Sequence, residues 1–145
     1  WIQPEVFDNS GQEVQLQQIG GPKQGETLRV GQYMVSYQAK DFFQNSNVCN
    51  FGVYVVDRQA PKIQNCPQSI QISVFKDQNY AAFPEWNVPI AWDNVDGNNV
   101  KVQLIQGVNS GSKLSIPPGP QNELATQITY EAIDSSNNAA RCSFQ

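Results

Sequence analysis

The stretch Ile128-Thr129-Tyr130-Glu131-Ala132-Ile133-Asp134 alternates apolar and polar residues and runs into Ser135-Ser136-Asn137-Asn138. Alternation with period two is typical of a β-strand with one buried face, and a Ser/Asn-rich run marks a turn. Tyr130 lies four residues before Asp134, and Asp134 lies eight residues before Cys142. Tyr37, Asp41 and Cys49 have the same two spacings. The chain therefore contains an internal repeat.

A further pair of anchors lies upstream in each copy. Trp1-Ile2-Gln3-Pro4 leads to Asp8-Asn9, and Trp86-Asn87-Val88-Pro89 leads to Asp93-Asn94, with seven positions from Trp to Asp in both copies. The first copy has no equivalent of residues 58–85. We therefore expect residues 1–57 to be the C-terminal part of an incomplete module, and residues 58–145 to be a second module that lacks the end of its last strand.

The strands missing from the first module have two candidate sources. They belong to the same polypeptide outside this sequence, or they come from another subunit, as in donor-strand complementation. We prefer the first. In both cases we expect the partners to be neighbouring modules or subunits of the same protein, which follow head to tail in a linear assembly.

The rest of the chain predicts an all-β fold. Short alternating runs separated by turns rich in Gly, Pro, Asn and Ser predict an antiparallel sandwich, and no segment shows a convincing helical period. Bulky aromatic residues on such strands usually pack inside, so the predicted core includes Trp86, Tyr130 and Tyr37. In the second module the predicted strands are 62–65, 70–75, 80–86, 98–106, 112–116, 125–133 and 138–145.

The composition argues against several classes of function. The chain has no His and only 15% charged residues, so it is poor in groups for acid–base chemistry, and we predict that it is not an enzyme. The formal net charge of −4 and the absence of any Lys/Arg run disfavour nucleic acid and anionic membranes as partners. The apolar runs are far shorter than the ~20 residues that span a bilayer, so we predict no membrane insertion.

The three cysteines fit the repeat. Cys49 and Cys142 are equivalent late positions, and Cys66 is an early position of the second module. We predict a Cys66–Cys142 disulfide and a bond from Cys49 to a residue outside the chain; the alternative is three unrelated buried thiols. Disulfides persist in oxidising compartments, which predicts an extracellular or cell-surface location.

The motifs of the second module, taken in order, resemble the hyalin repeat. They are Cys66-Pro67, then Trp86 and Pro89 before Asp93-Asn94, then Tyr130, Asp134, Asn138 and Cys142. Asn138-Ala139 departs from the Gly-Asn that the family often has there. The resemblance implies immunoglobulin-like β-sandwich modules in tandem, in extracellular matrix and adhesion proteins, without catalysis.

Three acidic residues form a candidate calcium site. If the sandwich is assembled as the resemblance implies, Asp57, Asp93 and Asp134 fall at one pole of the module. Ca²⁺ takes six to eight oxygen ligands, which carboxylates and amides there would supply. The simpler interpretation, preferred from sequence alone, is that these residues only form turns. No other cofactor is predicted.

The sequence thus predicts a non-enzymatic structural or adhesive repeat of an extracellular fibre, coat or cell-surface stalk, able to form filaments. The alternative is a ligand-binding ectodomain that recognises a glycan or a protein through the loop of residues 107–123.

Overall fold

The computed structural model of the chain describes residues 1–73, 80–115 and 125–145. The secondary-structure elements in these ranges are all β-strands, and all the strand pairs are antiparallel. This confirms the predicted all-β class. Within the same residues there is no helix of the length and apolarity that crossing a membrane requires. The strands are β1 Gln15–Gly20, β2 Gly31–Lys40, β3 Ser46–Val55, β4 Lys62–Gln64, β5 Tyr80–Ala82, β6 Ile90–Trp92, β7 Lys101–Gln106, β8 Lys113–Ser115, β9 Ile128–Ile133 and β10 Ala139–Phe144.

The chain divides into two units, Trp1–Asp57 and Arg58–Gln145. The first unit is a three-stranded sheet in the order β1-β2-β3. Val35 and Tyr37 point to the same face of β2 and are buried, as the period-two pattern of the strand requires. On that face the Trp1 indole meets the Phe51 ring edge-on, with 5.9 Å between centroids, and its Nε1–H donates to the Tyr37 hydroxyl at 3.3 Å.

The second unit contains a sheet of the same kind, in the order β10-β9-β7, and two additional strand pairs, β4-β6 and β5-β8. Its buried cluster consists of Ile128, Tyr130 and Phe144. Trp86 packs against this cluster, 5.4 Å from Phe144 between ring centroids, and its Nε1–H donates to the Tyr130 hydroxyl at 3.1 Å. The packing partners that are partly buried are Trp86, Val102, Leu104 and Val108.

The two sheets share their register. Tyr37 faces Cys49 across β2 and β3, and Tyr130 faces Cys142 across β9 and β10. Each sheet also has one irregularity at the same place, between Gln18 and Gly20 in β1 and between Leu104 and Gln106 in β7. The equal spacing from Tyr to Cys in the two copies is therefore the spacing of two residues that pair directly in each sheet.

Several sequence predictions need correction in the second unit. Residues 70–73 of the predicted strand 70–75 are not a strand, although the Ile70 amide donates to the Gln145 carbonyl at 2.7 Å; residues 74 and 75 lie outside the described residues. Strand β6 was not predicted, because three residues between Pro89 and a turn are too few to show a period. Trp86 lies outside any strand and is only half-buried against the cluster, whereas Tyr37 and Tyr130 are buried as predicted.

Candidate functional site

A disulfide joins Cys66 to Cys142, as the sequence predicts. It links the segment after β4 to β10 over a separation of 76 residues, and Cys142 is buried. Cys49, the repeat equivalent of Cys142, is an exposed free thiol in this structure. The bond from Cys49 to a residue outside the chain therefore stays a prediction.

Asp134 closes the turn between β9 and β10. One of its oxygens, Oδ1, accepts from the amides of Ser136 and Asn138 at 2.9 and 2.7 Å, and Oδ2 accepts from the Asn138 side chain at 2.8 Å. The turn bends through Asn137, whose φ of 66° is in the left-handed region that Asn tolerates better than most residues. Asp134 is 5% exposed, and both of its oxygens have partners, as in an ordinary Asp turn.

Asp93 closes the turn after β6, but its two oxygens differ. Oδ1 accepts from the amides of Val95 and Asp96 at 2.8 and 3.3 Å. The Asp93 backbone is fixed by a pair of bonds with Gly97, each of 2.9 Å. Oδ2 is buried without a hydrogen-bond partner among the described residues, and Asp93 as a whole is only 2% exposed. The turn therefore accounts for the burial of Oδ1, which accepts two hydrogen bonds, but not for the burial of Oδ2.

The fold brings these two turns of the second unit together. Asp96 accepts from the Ser135 amide at 2.6 Å and from the Ser135 hydroxyl at 2.8 Å, and these bonds join the turn after β6 to the turn after β9. A carboxylate oxygen of Asp93 lies within 4.8 Å of one of Asp134. The sequence alone does not reveal the Asp96–Ser135 bonds, because nothing in the local pattern indicates a contact across 39 positions.

Among the described residues, neither Asp93 nor Asp134 pairs with a basic side chain. An ion pair within the described ranges joins Arg141 to Glu131 at 2.8 Å, and neither aspartate takes part in it. Two like charges within 4.8 Å of each other in a buried position repel, and burial removes the water that would screen them. Asp57, the third predicted calcium ligand, is the last residue of the first unit and is half-buried, and its role as a ligand stays a prediction.

The first unit repeats the same two turns without the same burial. Asp8 and Asp41 are equivalent to Asp93 and Asp134, and both are only half-buried. Asp41 accepts from the amide and side chain of Asn45 at 2.8 and 2.7 Å, which matches the bonds of Asp134. The hydroxyl of Ser10 donates to Asp8 and, with the Ser10 amide, lowers the pKa of that carboxyl below its ordinary value.

The predicted ligand-binding loop, residues 107–123, is described only in part. Residues 107–115 include Gly107, whose φ of 95° suits glycine, and strand β8. Residues 116–123 lie outside the described residues. A binding role for this loop stays a prediction.

Comparison with known proteins gives one family and two relatives. The family model described as HYR domain matches residues 1–55 and again residues 56–145. The chain is similar to the sushi, von Willebrand factor type A, EGF and pentraxin domain-containing protein 1 of Rattus norvegicus and of Mus musculus, with 26% identity to each. The matches cover 98% of this chain and 4% of each relative, so the chain spans a small part of the length of these curated relatives.

Proposed function

This chain belongs to the HYR domain family, and on that basis we propose that it is a non-enzymatic structural or adhesive module of an extracellular fibre, coat or cell-surface stalk. The observation that carries the proposal is the repetition itself. Two family matches follow each other directly, and the sheets they cover share a register, an aromatic pair and a turn. Repetition of one small domain lengthens a molecule in equal steps, which suits a spacer or a fibre.

Two properties of the chain support an extracellular setting. The Cys66–Cys142 bond persists where thiols are oxidised. Only 15% of all residues are charged, so the polar surface is made largely of Gln, Asn and Ser. The chain also lacks His, the side chain best suited to proton transfer near neutral pH, which fits a role without catalysis.

Electron microscopy of the natural full-length protein tests this role. We expect rods or filaments, whose length increases in proportion when additional copies of residues 58–145 are inserted into the repeat region. A compact particle that keeps one soluble glycan or protein through purification would contradict the proposal and favour the ligand-binding alternative. A variant with an altered 107–123 loop is the matched control, since only a ligand-binding role makes retention depend on that loop.

We also propose that the first unit is completed by a segment that supplies the missing strands and a cysteine for Cys49. The support is that Cys49 is the repeat equivalent of Cys142. Cys142 is buried and bonded to Cys66 of its own unit, whereas Cys49 is exposed and unbonded in this structure. Non-reducing peptide mapping of the natural protein tests it. A Cys49 peptide joined to a preceding segment of the same chain supports completion in cis, and one joined to another chain supports subunit exchange. A free Cys49 thiol there would contradict both.

A further inference from the structure

We propose that Asp93 and Asp134 of the second unit bind a calcium ion. The proposal rests on Oδ2, the carboxylate oxygen of Asp93 that takes no part in the hydrogen bonds of its turn. Oδ1 accepts two amides, whereas Oδ2 is buried with no hydrogen-bond partner among the described residues. A buried carboxylate oxygen without a partner is costly, and a cation is one of the few groups that can compensate it.

The surroundings of Asp93 favour a cation over another hydrogen-bond donor. Asp134, the nearby carboxylate, is acceptor-only when ionised, so it cannot donate to Asp93. The Ser135 amide and hydroxyl, two donors in the neighbouring turn, are already used by Asp96 at 2.6 and 2.8 Å. A positive ion placed between the carboxylates would remove their repulsion and supply the partner that Asp93 Oδ2 lacks.

The chemistry of the site selects calcium among common cations. All the side-chain donors are oxygens, and there is no His or free thiol in the second unit that would favour zinc or copper. Calcium accepts irregular arrangements of carboxylates and waters, whereas magnesium demands a near-ideal octahedron. Two carboxylates fixed in separate turns fit the more permissive ion. The sequence prediction also included Asp57, but the proposal stands on Asp93 and Asp134 alone.

Hydrogen bonds within and between the two turns fix the positions of the Asp93 and Asp134 carboxylates. Asp93 is fixed by its backbone bonds to Gly97, Asp134 by its three bonds within its own turn, and the two turns by the Asp96–Ser135 contacts. A site fixed before the ion arrives loses little conformational freedom on binding. With few protein carboxylates, the affinity should resemble that of extracellular calcium modules, with a Kd on the order of 0.1–1 mM.

The test compares the native chain with Asp93→Asn and Asp8→Asn, in calcium and in chelator. Asparagine at position 93 keeps an oxygen for the amides of Val95 and Asp96, but it removes the charge. We expect calcium to raise the melting temperature of the native chain and of Asp8→Asn, the repeat-equivalent control. In Asp93→Asn the affinity for calcium should fall about tenfold or more.

A second measurement uses the native chain and does not depend on a variant that folds. Terbium, a luminescent substitute for calcium, should emit on excitation of tryptophan, since Trp92 directly precedes Asp93, and calcium should displace it. The proposal is overturned if melting is identical in calcium and in chelator and no terbium emission is displaced. It is also overturned if Asp93→Asn folds and gains the same shift as the native chain.

Discussion

The two units contain the same sheet but differ in what covers it. In both, a Trp indole donates to a Tyr hydroxyl on the central strand, and a Phe two residues after the Cys meets that Trp edge-on. In the second unit, strand pairs β4-β6 and β5-β8 and a disulfide are added. Phe144 is then 5% exposed, whereas its equivalent Phe51 is only half-buried.

The difference separates two contributions to stability: a block shared by both units, and a second layer of additional strands and a disulfide that only the second unit shows. The strand–turn–strand block with its aromatic pair depends on contacts within one sheet, so it has the same register in both units. The burial of the Cys and of the Phe two residues later depends on the additional strands and the disulfide. Changes to the second layer should therefore affect the second unit alone, whereas equivalent changes to the shared block should destabilise whichever unit carries them.

The largest effect is expected from removing the disulfide. Replacing both Cys66 and Cys142 with Ala opens a loop of 76 residues and should lower the free energy of unfolding of the second unit by ~4 kcal/mol. Thermal unfolding followed by hydrogen exchange of the β9 and β10 amides measures it. Cys49→Ala is the matched control and should leave these amides unchanged. Equal protection in the double variant would mean that the additional strands hold the second layer without the bond.

How well the sequence predicts each part of the fold depends on how far apart the contacting residues lie along the chain. Tyr130, Asp134 and Cys142 lie in one hairpin, so their spacing predicts their register directly. Strand β6 pairs with β4, which lies almost thirty positions upstream, and its three residues carry no period of their own. The unpartnered oxygen of Asp93 is equally invisible in the sequence, because a turn-forming Asp uses one oxygen locally and only the packed fold decides what the other meets.

Truncating the aromatic partner is expected to have the next largest effect. Trp86→Ala removes contacts with Phe83 and Phe144 and should cost ~3 kcal/mol, the lower end for a large aromatic side chain because Trp86 is half-buried. Trp1→Ala should cost less in the first unit, since Trp1 is 36% exposed. Denaturant unfolding with a probe in each unit compares the two. Equal losses would show that the second layer adds nothing to the packing of the indole.

Removing only the hydroxyl beneath that indole should have a smaller effect. Tyr130→Phe leaves the Trp86 Nε1–H without its acceptor at 3.1 Å, which should cost ~1 kcal/mol. Tyr37→Phe should cost less than Tyr130→Phe, because the exposed edge of Trp1 lets water replace the lost acceptor. The same unfolding experiments measure both variants. A larger loss for Tyr37→Phe would contradict the difference in covering between the two units.

The smallest effect concerns the turns that begin at Asp8 and Asp93, in which the two units carry different side chains two positions after the Asp. Ser10 follows Asp8 by two positions, and its hydroxyl lowers the pKa of that carboxyl, whereas Val95 follows Asp93 and has no hydroxyl to donate. A carboxyl whose pKa is lowered on folding stabilises the folded state above its unfolded pKa, near 3.8, and loses that contribution as pH falls through the lower folded value. Carbon-detected NMR titration should show the Asp8 midpoint below the ordinary value in the native chain and closer to it in Ser10→Ala. Because half-buried Asp8 remains open to solvent, which screens its charge, the melting temperature at neutral pH should hardly change. An identical midpoint in the two proteins would mean that the Ser10 hydroxyl turns to water, and that the first turn is held by backbone bonds alone.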